Sequence, residues 1–181
     1  MADYFTNVSF TFHWPPEMAQ FLEHVHNGYN AMMDDMPDEV LEDDSRAEAW
    51  LTEEWGASSD EAHVILRISS GTGSAIGTQI QIGETSRHTG LAQVWIAHCP
   101  SVHDLDALGS MIQQVLLHFN ADRCVGFEWS CTATHPRTDA YGGGACFITK
   151  DGIEWLSTGY WLDGKFMDWN DTRQEACNAS A

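Results

Sequence analysis

The sequence is poor in positive charge. Its 181 residues include only 8 Lys and Arg against 27 Asp and Glu, which gives a net charge of −19. A charge of this sign and size repels nucleic acid and anionic membranes and attracts basic surfaces. We therefore expect no direct contact with nucleic acid or membrane, and we expect a basic protein as partner.

Long apolar runs and targeting signals are also missing. No stretch approaches the ~18 apolar residues typical of a transmembrane helix. The first residues lack the basic and apolar regions of a signal peptide. These absences lead us to expect a protein that acts in the cytoplasm of its host cell.

Cysteine chemistry has little support in the sequence. The five cysteines are odd in number and include no CxxC pair, which argues against a disulfide framework or a cysteine-rich zinc module. Cys99, before a predicted helix, and Cys131, near His135, come nearest to a reactive thiol. No nucleophile signature surrounds either, and GxSxG, HExxH and Walker-type motifs do not occur. We expect a non-enzymatic protein without a cofactor.

Nine histidines raise the question of a metal site. The densest groupings are His24 with His26, His98 and Cys99 with His103, and Cys131 with His135. Helix positions two apart face different directions, so His24 and His26 do not share a metal. The second grouping has no fourth ligand at a recognised spacing. Ordinary loop and core histidines are the favoured interpretation, and no metal is expected.

Apolar residues, by contrast, are plentiful. They make up 43% of the chain and include eight Trp and eight Phe, far above the content of a disordered acidic tail. The length suits one substantial core. We expect a single domain over residues 1–169, followed by a weakly patterned tail, residues 170–181, that frays.

Three segments show the apolar spacing of helices. The first follows the proline pair at 15–16, and the second follows Pro37. The third opens at Ser101, where Asp104 three positions on forms a capping-box arrangement. These segments predict the helical part of the fold.

Short β-branched or alternating runs predict strands. One alternates over residues 8–14, and "AHVILRIS" from Ala62, "GTQIQIG" and "LAQVWIAH" suggest an antiparallel meander. Another alternates over residues 125–133, and "ACFIT" and "IEWLS" flank an Asp-Gly turn typical of a hairpin. The order predicts an α+β fold, a mostly antiparallel sheet with helices packed on one face.

Negative charge is concentrated in residues 34–61, which we call the acidic segment. It holds twelve carboxylates and a single cation, Arg46. The spacing lacks the glycine at position six of an EF-hand loop, so a calcium site is not expected. Trp50, Leu51 and Trp55 are expected to dock the segment onto the fold.

Two interpretations of the acidic segment stay open. A solvated helix face explains most charge runs, and halophilic proteins reach similar net charge, although their acidity is spread out. Alternatively, rigidly held carboxylates imitate phosphates, which duplex DNA presents every ~1.7 Å of its axis. Clustering favours the second interpretation, which predicts partner binding through ten carboxylates: Asp34, Asp35, Asp38, Glu39, Glu42, Asp43, Asp44, Glu48, Glu53 and Glu54.

Three consecutive glycines lie at 142–144. The strand-like "ACFIT" follows them, whereas a phosphate-binding loop needs a helix there. We expect a bend or bulge where the backbone packs closely or φ is positive. A second candidate pocket is predicted beside it, lined by Glu128, Arg137, Asp139 and Tyr141.

The same region resembles a known group of sequences. The segment "GFEWSCTATHPRTDAYGGGA", with the pattern W-x6-P-R-x-D-x-x-G-G-G-A from Trp129 to Ala145, is similar to a segment of uncharacterised bacteriophage and prophage proteins. The resemblance covers about twenty residues. It implies a mobile-element context and no particular activity.

These observations predict a non-enzymatic inhibitor from a phage or mobile element. Its expected target is a basic, nucleic-acid-handling host defence protein, as for anti-CRISPR or anti-restriction proteins, bound by mimicry of nucleic-acid charge. One alternative is an immunity-type protein that neutralises a basic toxin. Another is a small enzyme or ligand-binding module that uses residues 131–144, with Cys131 or His135. The sequence is also compatible with a homodimer.

Overall fold

The structure is a computed structural model and describes residues 4–69, 76–97, 104–133 and 142–179. These residues form one α+β fold. The strands are Tyr4–Val8 (β1), Phe10–Trp14 (β2), Gln79–Thr85 (β3), Ala92–Ala97 (β4), Cys124–Ala133 (β5), Gly142–Thr149 (β6) and Gly152–Ser157 (β7). The helices are Pro16–Asp35 (α1), Asp38–Leu41 (α2), Asp44–Trp50 (α3), Ser59–Ser69 (α4), Leu105–His118 (α5) and Thr158–Ala179 (α6), with a π-helical turn at Leu51–Trp55.

The strands form two antiparallel sheets. One has the order β1-β5-β6-β7, and the other has the order β2-β4-β3. Only Ser9 separates β1 from β2, so the chain passes from one sheet to the other at this residue. Phe10 of β2 stacks on Phe127 of β5, with ring centroids 4.6 Å apart. The two sheets therefore share one apolar interior.

Helices α1 and α5 cover the buried sides of the sheets. Helix α1 contacts β3 and β4, and α5 contacts β6 and β7. Leu22 and Val25 of α1 and Leu108 and Ile112 of α5 are completely buried. Burial of each such side chain contributes about 1.5–3 kcal/mol to stability. This helix-on-sheet core supports the rest of the fold.

Residues 62–69 lie in helix α4, so the strand predicted from "AHVILRIS" is wrong. Ala62, Ile65 and Ile68 recur every three residues and are buried, which places them on one helical face. That face packs between α1 and α5. The β-branched residues suggested a strand, but contact with two helices outweighs this weak preference.

Two predicted elements, the first strand and the second helix, are each interrupted in the structure. Residues 8–14 were expected to be one strand, whereas Ser9 separates β1 from β2, and β2 shows the alternating burial. The helix expected after Pro37 consists of α2, α3 and the π-helical turn. The helix expected after the proline pair at 15–16 is confirmed as α1.

Helix α5 is confirmed, with a different N-terminal residue. It begins at Leu105, and the Asp104 carboxylate caps it by accepting the Ala107 N–H at 2.8 Å. Ser101, the predicted start, lies outside the described residues. A carboxylate at this position satisfies an N–H group that the helix itself leaves unpaired.

The remaining predicted strands are confirmed. The runs "GTQIQIG" and "LAQVWIAH" correspond to β3 and β4, which pair antiparallel, and β5 pairs with β6. Strands β6 and β7 form a hairpin around Lys150 and Asp151. Helix α6 covers most of residues 170–181, and the fraying of that tail stays a prediction.

Close packing accounts for glycine at positions 143 and 144. Gly143 has a φ of 154°. A β-carbon at Gly144 would collide with the Trp129 ring and with the Leu156 carbonyl oxygen. The expected tight backbone packing is confirmed, and the glycines pair in regular register inside β6 without a bulge.

Candidate partner-binding surface

The acidic segment comprises the end of α1 and a series of short helical elements. Asp43 precedes α3, and its Oδ1 accepts the N–H groups of Ser45 at 3.0 Å and Arg46 at 3.3 Å. The π-helical turn ends at Gly56, whose φ of 81° is a left-handed conformation that glycine adopts without strain. These ends define where the helices start and stop, and so where their carboxylates lie.

Apolar side chains attach the acidic segment to the core. Ala47 is buried and Leu51 is completely so, while Trp50 packs half-buried against the core. Trp55 lies against Gly28 of α1, and a β-carbon on Gly28 would be only 3.0 Å from the indole Nε1. Trp55 nevertheless keeps 44% of its surface exposed. Leu51 is therefore the principal anchor among the three predicted residues.

Most of the predicted carboxylates face solvent. The exposed ones are Asp34, Asp35, Asp38, Glu39, Glu42, Asp43, Asp44, Glu53 and Glu54. Glu48 is half-buried, with Oε1 3.7 Å from His63 Nε2, and Asp43 serves as the cap of α3. Within the described residues, the other eight make no ion pair and no side-chain hydrogen bond. No described side chain therefore pairs with their negative charge.

The one cation of the segment leaves this charge in place. Arg46 Nη1 donates to the backbone oxygen of Glu39 at 3.0 Å. A carbonyl group carries no net charge, so this bond orders the guanidinium without neutralising a carboxylate by pairing. The segment has twelve carboxylates and one Arg, so its net charge is −11.

Two acids at the end of the segment were left out of the predicted surface, and one of them is structural. Glu61 Oε2 accepts the Ser58 N–H at 2.8 Å, and Ser58 Oγ accepts the Glu61 N–H at 3.3 Å. This reciprocal pair is a capping box that starts α4. Glu61 Oε1 also lies 3.1 Å from His24 Nδ1. The Ser58-x-x-Glu61 spacing could have revealed the helix from sequence.

The second candidate pocket is described only at Glu128. This residue is exposed on β5 and lines a shallow depression of about 500 Å³ together with Phe147, Glu154 and Leu156. The other predicted members, Arg137, Asp139 and Tyr141, lie outside the described residues. The described lining consists of two carboxylates on an apolar floor, and it brings no base or cation to them.

The thiol nearest this depression is inert. Cys146 is buried, and burial, reinforced by the charge of Asp106, raises its pKa to about 12. It is therefore protonated at neutral pH, and a protonated thiol is a poor nucleophile. Cys131 is half-buried in β5, while Cys99 and His135 lie outside the described residues.

A buried histidine occupies the interior between α1 and β3. The Ile76 N–H donates to Asn30 Oδ1 at 3.1 Å, which orients the amide so that Nδ2 donates to His26 Nε2 at 3.2 Å. His26 Nδ1 then donates to Asn27 Oδ1 at 3.2 Å. This arrangement suits a neutral ring, and burial lowers the pKa of His26 below 6.5. The group therefore stabilises the fold at the interior side of α1.

The histidine groupings do not converge on a metal in the described part of the chain. There, no cluster of three or more His, Cys, Asp or Glu is arranged to hold an ion. His24 is exposed while His26 is buried, so the pair points in different directions as expected. His98, Cys99 and His103 are outside the described residues.

None of the described helices combines the length and apolar character needed to cross a membrane. Among the described surfaces, the acidic segment has the most distinctive chemistry, because exposed carboxylates lie there on helices anchored to the core. Comparison of the chain with protein-family models, with curated proteins and with solved structures gives no match.

Proposed function

We propose that the protein is a non-enzymatic inhibitor that binds a basic, nucleic-acid-handling host defence protein through the acidic segment. The main support is the set of exposed carboxylates that lack ion-pair partners among the described residues. A groove that normally contacts phosphates through Arg and Lys would contact these carboxylates instead. The resemblance of residues 126–145 to phage sequences supports a target such as a CRISPR effector or a restriction enzyme.

The carboxylates of the segment are spread over several helical elements. Helix α3 and the π-helical turn together comprise seven and five residues, or ~18 Å at about 1.5 Å per residue. Duplex DNA carries about ten phosphates over that length. Four of the ten predicted carboxylates lie on this run: Asp44, Glu48, Glu53 and Glu54. The other six lie on α1, on α2 and between α2 and α3, so a groove must also contact those elements to meet as many negative groups as DNA presents.

Attachment to the core makes this charge useful for binding. A flexible acidic tail loses conformational entropy when a partner orders it, which reduces its affinity. Here Leu51 and Ala47 are buried beneath the helices that carry the carboxylates. The surface is therefore largely preorganised, and most of the electrostatic attraction is available for binding.

Charge reversal at four exposed positions tests the proposal. Affinity capture from host lysate at low and high salt first identifies the target, because binding through exposed charges weakens as salt screens them. Asp35, Glu39, Glu42 and Glu53 are then changed to Lys, which raises the net charge from −19 to −11 because each reversal adds two. We expect at least ~100-fold weaker binding, as for other interfaces dominated by charge, with an unchanged far-UV circular dichroism spectrum.

A matched control separates this surface from net charge. Reversal of Glu17, Glu84, Asp122 and Asp151, which are also exposed, produces the same net charge outside the acidic segment. We expect this control to retain affinity within about threefold, since steering by distant charges is largely screened at physiological salt. Equal losses in the two variants, or unchanged binding in the first, would refute the proposed surface.

A further inference from the structure

A second surface of the molecule has the opposite character. Eight of the twelve large apolar side chains that are exposed in the described part of the chain lie on β6, β7 and the start of α6: Phe147, Trp155, Leu156, Tyr160, Trp161, Leu162, Phe166 and Met167. We call this set the C-terminal apolar face. Trp155 lies on the opposite side of the sheet from Phe147 and Leu156, and the five residues of α6 are spread around the helix. Single exposed apolar residues are ordinary, but eight concentrated on neighbouring elements mark an interaction site.

The combined exposed area of the eight side chains reaches that of a dimer interface. From their fractional exposures, the eight side chains expose roughly 900 Å², taking about 200 Å² for each. The largest apolar patch on a typical monomer is about 300–600 Å². A stable protein interface buries about 800 Å² on each partner. The total exceeds the patch of a typical monomer, and it reaches the size of a specific complex when the partner covers both sides of β7 and α6.

Charge favours a second copy of the same chain as the occupant. Residues 147–167 contain two Lys and three acids, for a net charge of −1, whereas the acidic segment carries −11. A basic partner would be attracted to the acidic segment. Two copies of a chain with a net charge of −19 repel each other least where the contacting surfaces are nearly neutral, as the apolar face is. The two regions also contact different elements, since α6 packs on β6 and β7, and α3 packs on α4.

An unpaired strand edge adds a symmetric feature to this face. Among the described strands, β7 pairs only with β6, so its other edge offers backbone N–H and C=O groups. Two copies of this edge that pair antiparallel are related by a two-fold axis, which is the symmetry of most homodimers. We propose that the protein forms a two-fold homodimer through the C-terminal apolar face, leaving the acidic segment of each copy open to its partner.

The oligomeric mass of the full chain tests this proposal. We expect light scattering coupled to size exclusion at about 100 µM, well above a ~1 µM dissociation constant, to give twice the chain mass of 20.2 kDa. Leu162→Glu, at a position with 47% of its surface exposed, places a charge on the apolar face and should shift the protein to the monomer mass. Met167→Glu, at a position that is 69% exposed, should do the same if Leu162→Glu impairs folding.

The matched control is Leu117→Glu on α5, where the leucine is 43% exposed and lies outside the face. It should remain dimeric with an unchanged circular dichroism spectrum. The proposal would be overturned by a wild-type protein that is monomeric at about 100 µM, because a dimer with a micromolar dissociation constant would be populated at that concentration. A monomer would be the result if a different protein covers the face. Loss of the dimer in both leucine variants would overturn the proposal as well.

Salt distinguishes this proposal from the proposed function. Dimerisation buries apolar area between two strongly negative chains, so screening should strengthen it. Binding of a basic partner to the acidic segment should weaken over the same salt range. A dimer that dissociates at high salt would contradict the apolar interface without bearing on the charge-reversal result.

Discussion

The acidic segment and the C-terminal apolar face are both exposed, yet they are exposed in opposite ways. The first has a net charge of −11 and is attached to the core by the buried Leu51. The second has a net charge of −1 and turns its large apolar side chains toward solvent. Charge prevents the first from associating with itself, whereas the second has little charge to prevent it. The comparison suggests two interfaces with different partners on one fold.

The largest effect on this comparison is expected from removing the anchor of the acidic segment. Leu51 is completely buried, so Leu51→Ala should lower the free energy of unfolding by about 2–5 kcal/mol, through lost burial and the cavity left behind. Denaturant titration measures this loss. Partner binding should weaken too, because the carboxylates lose their rigid support.

Leu41→Ala is the control for that prediction, because Leu41 lies in the same segment and is 36% exposed. Its truncation should change stability by less than about 0.5 kcal/mol, as is usual for surface positions. Similar losses in the two variants would show that the acidic segment is not anchored through Leu51.

A smaller effect is expected at the glycine beneath the apolar face. Gly144→Ala would place a methyl group against the Trp129 ring and the Leu156 carbonyl oxygen, and overpacking of this kind typically costs about 1–3 kcal/mol. Because this change displaces β7, it should weaken dimerisation while leaving partner binding unchanged. Gly126→Ala, where the nearest atom lies 3.6 Å from the new carbon, should have little effect on either.

The smallest effect should come from the buried histidine between α1 and β3. The pKa of His26 is lowered by burial, so the unfolded chain binds a proton more readily than the folded one. Stability should therefore fall as the pH drops below about 6.5. His26→Gln should reduce this pH dependence in denaturant titrations between pH 7.5 and 5.5. An unchanged slope would show that another group controls the acid response.

The elements that the sequence predicts correctly are those in which apolar residues recur with a single clear period. The apolar face of α1, the alternation of β5 and the Asp-Gly hairpin all depend on contacts between residues close in the chain. The prediction is wrong at residues 62–69, where successive β-branched residues suggested a strand. The capping box formed by Ser58 and Glu61 was the local signal that could have corrected this prediction.

The sequence predicts how many carboxylates the candidate surface contains, but it does not predict which of them contact other side chains. Twelve carboxylates with one Arg are visible in the sequence. That Glu48 approaches His63 and that Glu61 approaches His24 depends on how α3, α4 and α1 pack together. Asp43 and Glu61 serve as helix caps because of local backbone geometry, so they are less available to a partner than the eight unpaired carboxylates.

The sequence alone determined the amount of charge, its concentration in residues 34–61 and the apolar periods that require a core, because these are sums over residues or patterns between near neighbours. Only the tertiary structure decided the crossing between sheets at Ser9, the helix at residues 62–69 and the exposure of apolar side chains on β6, β7 and α6. Those outcomes depend on which distant segments come into contact, since a side chain is buried or exposed only relative to what packs against it.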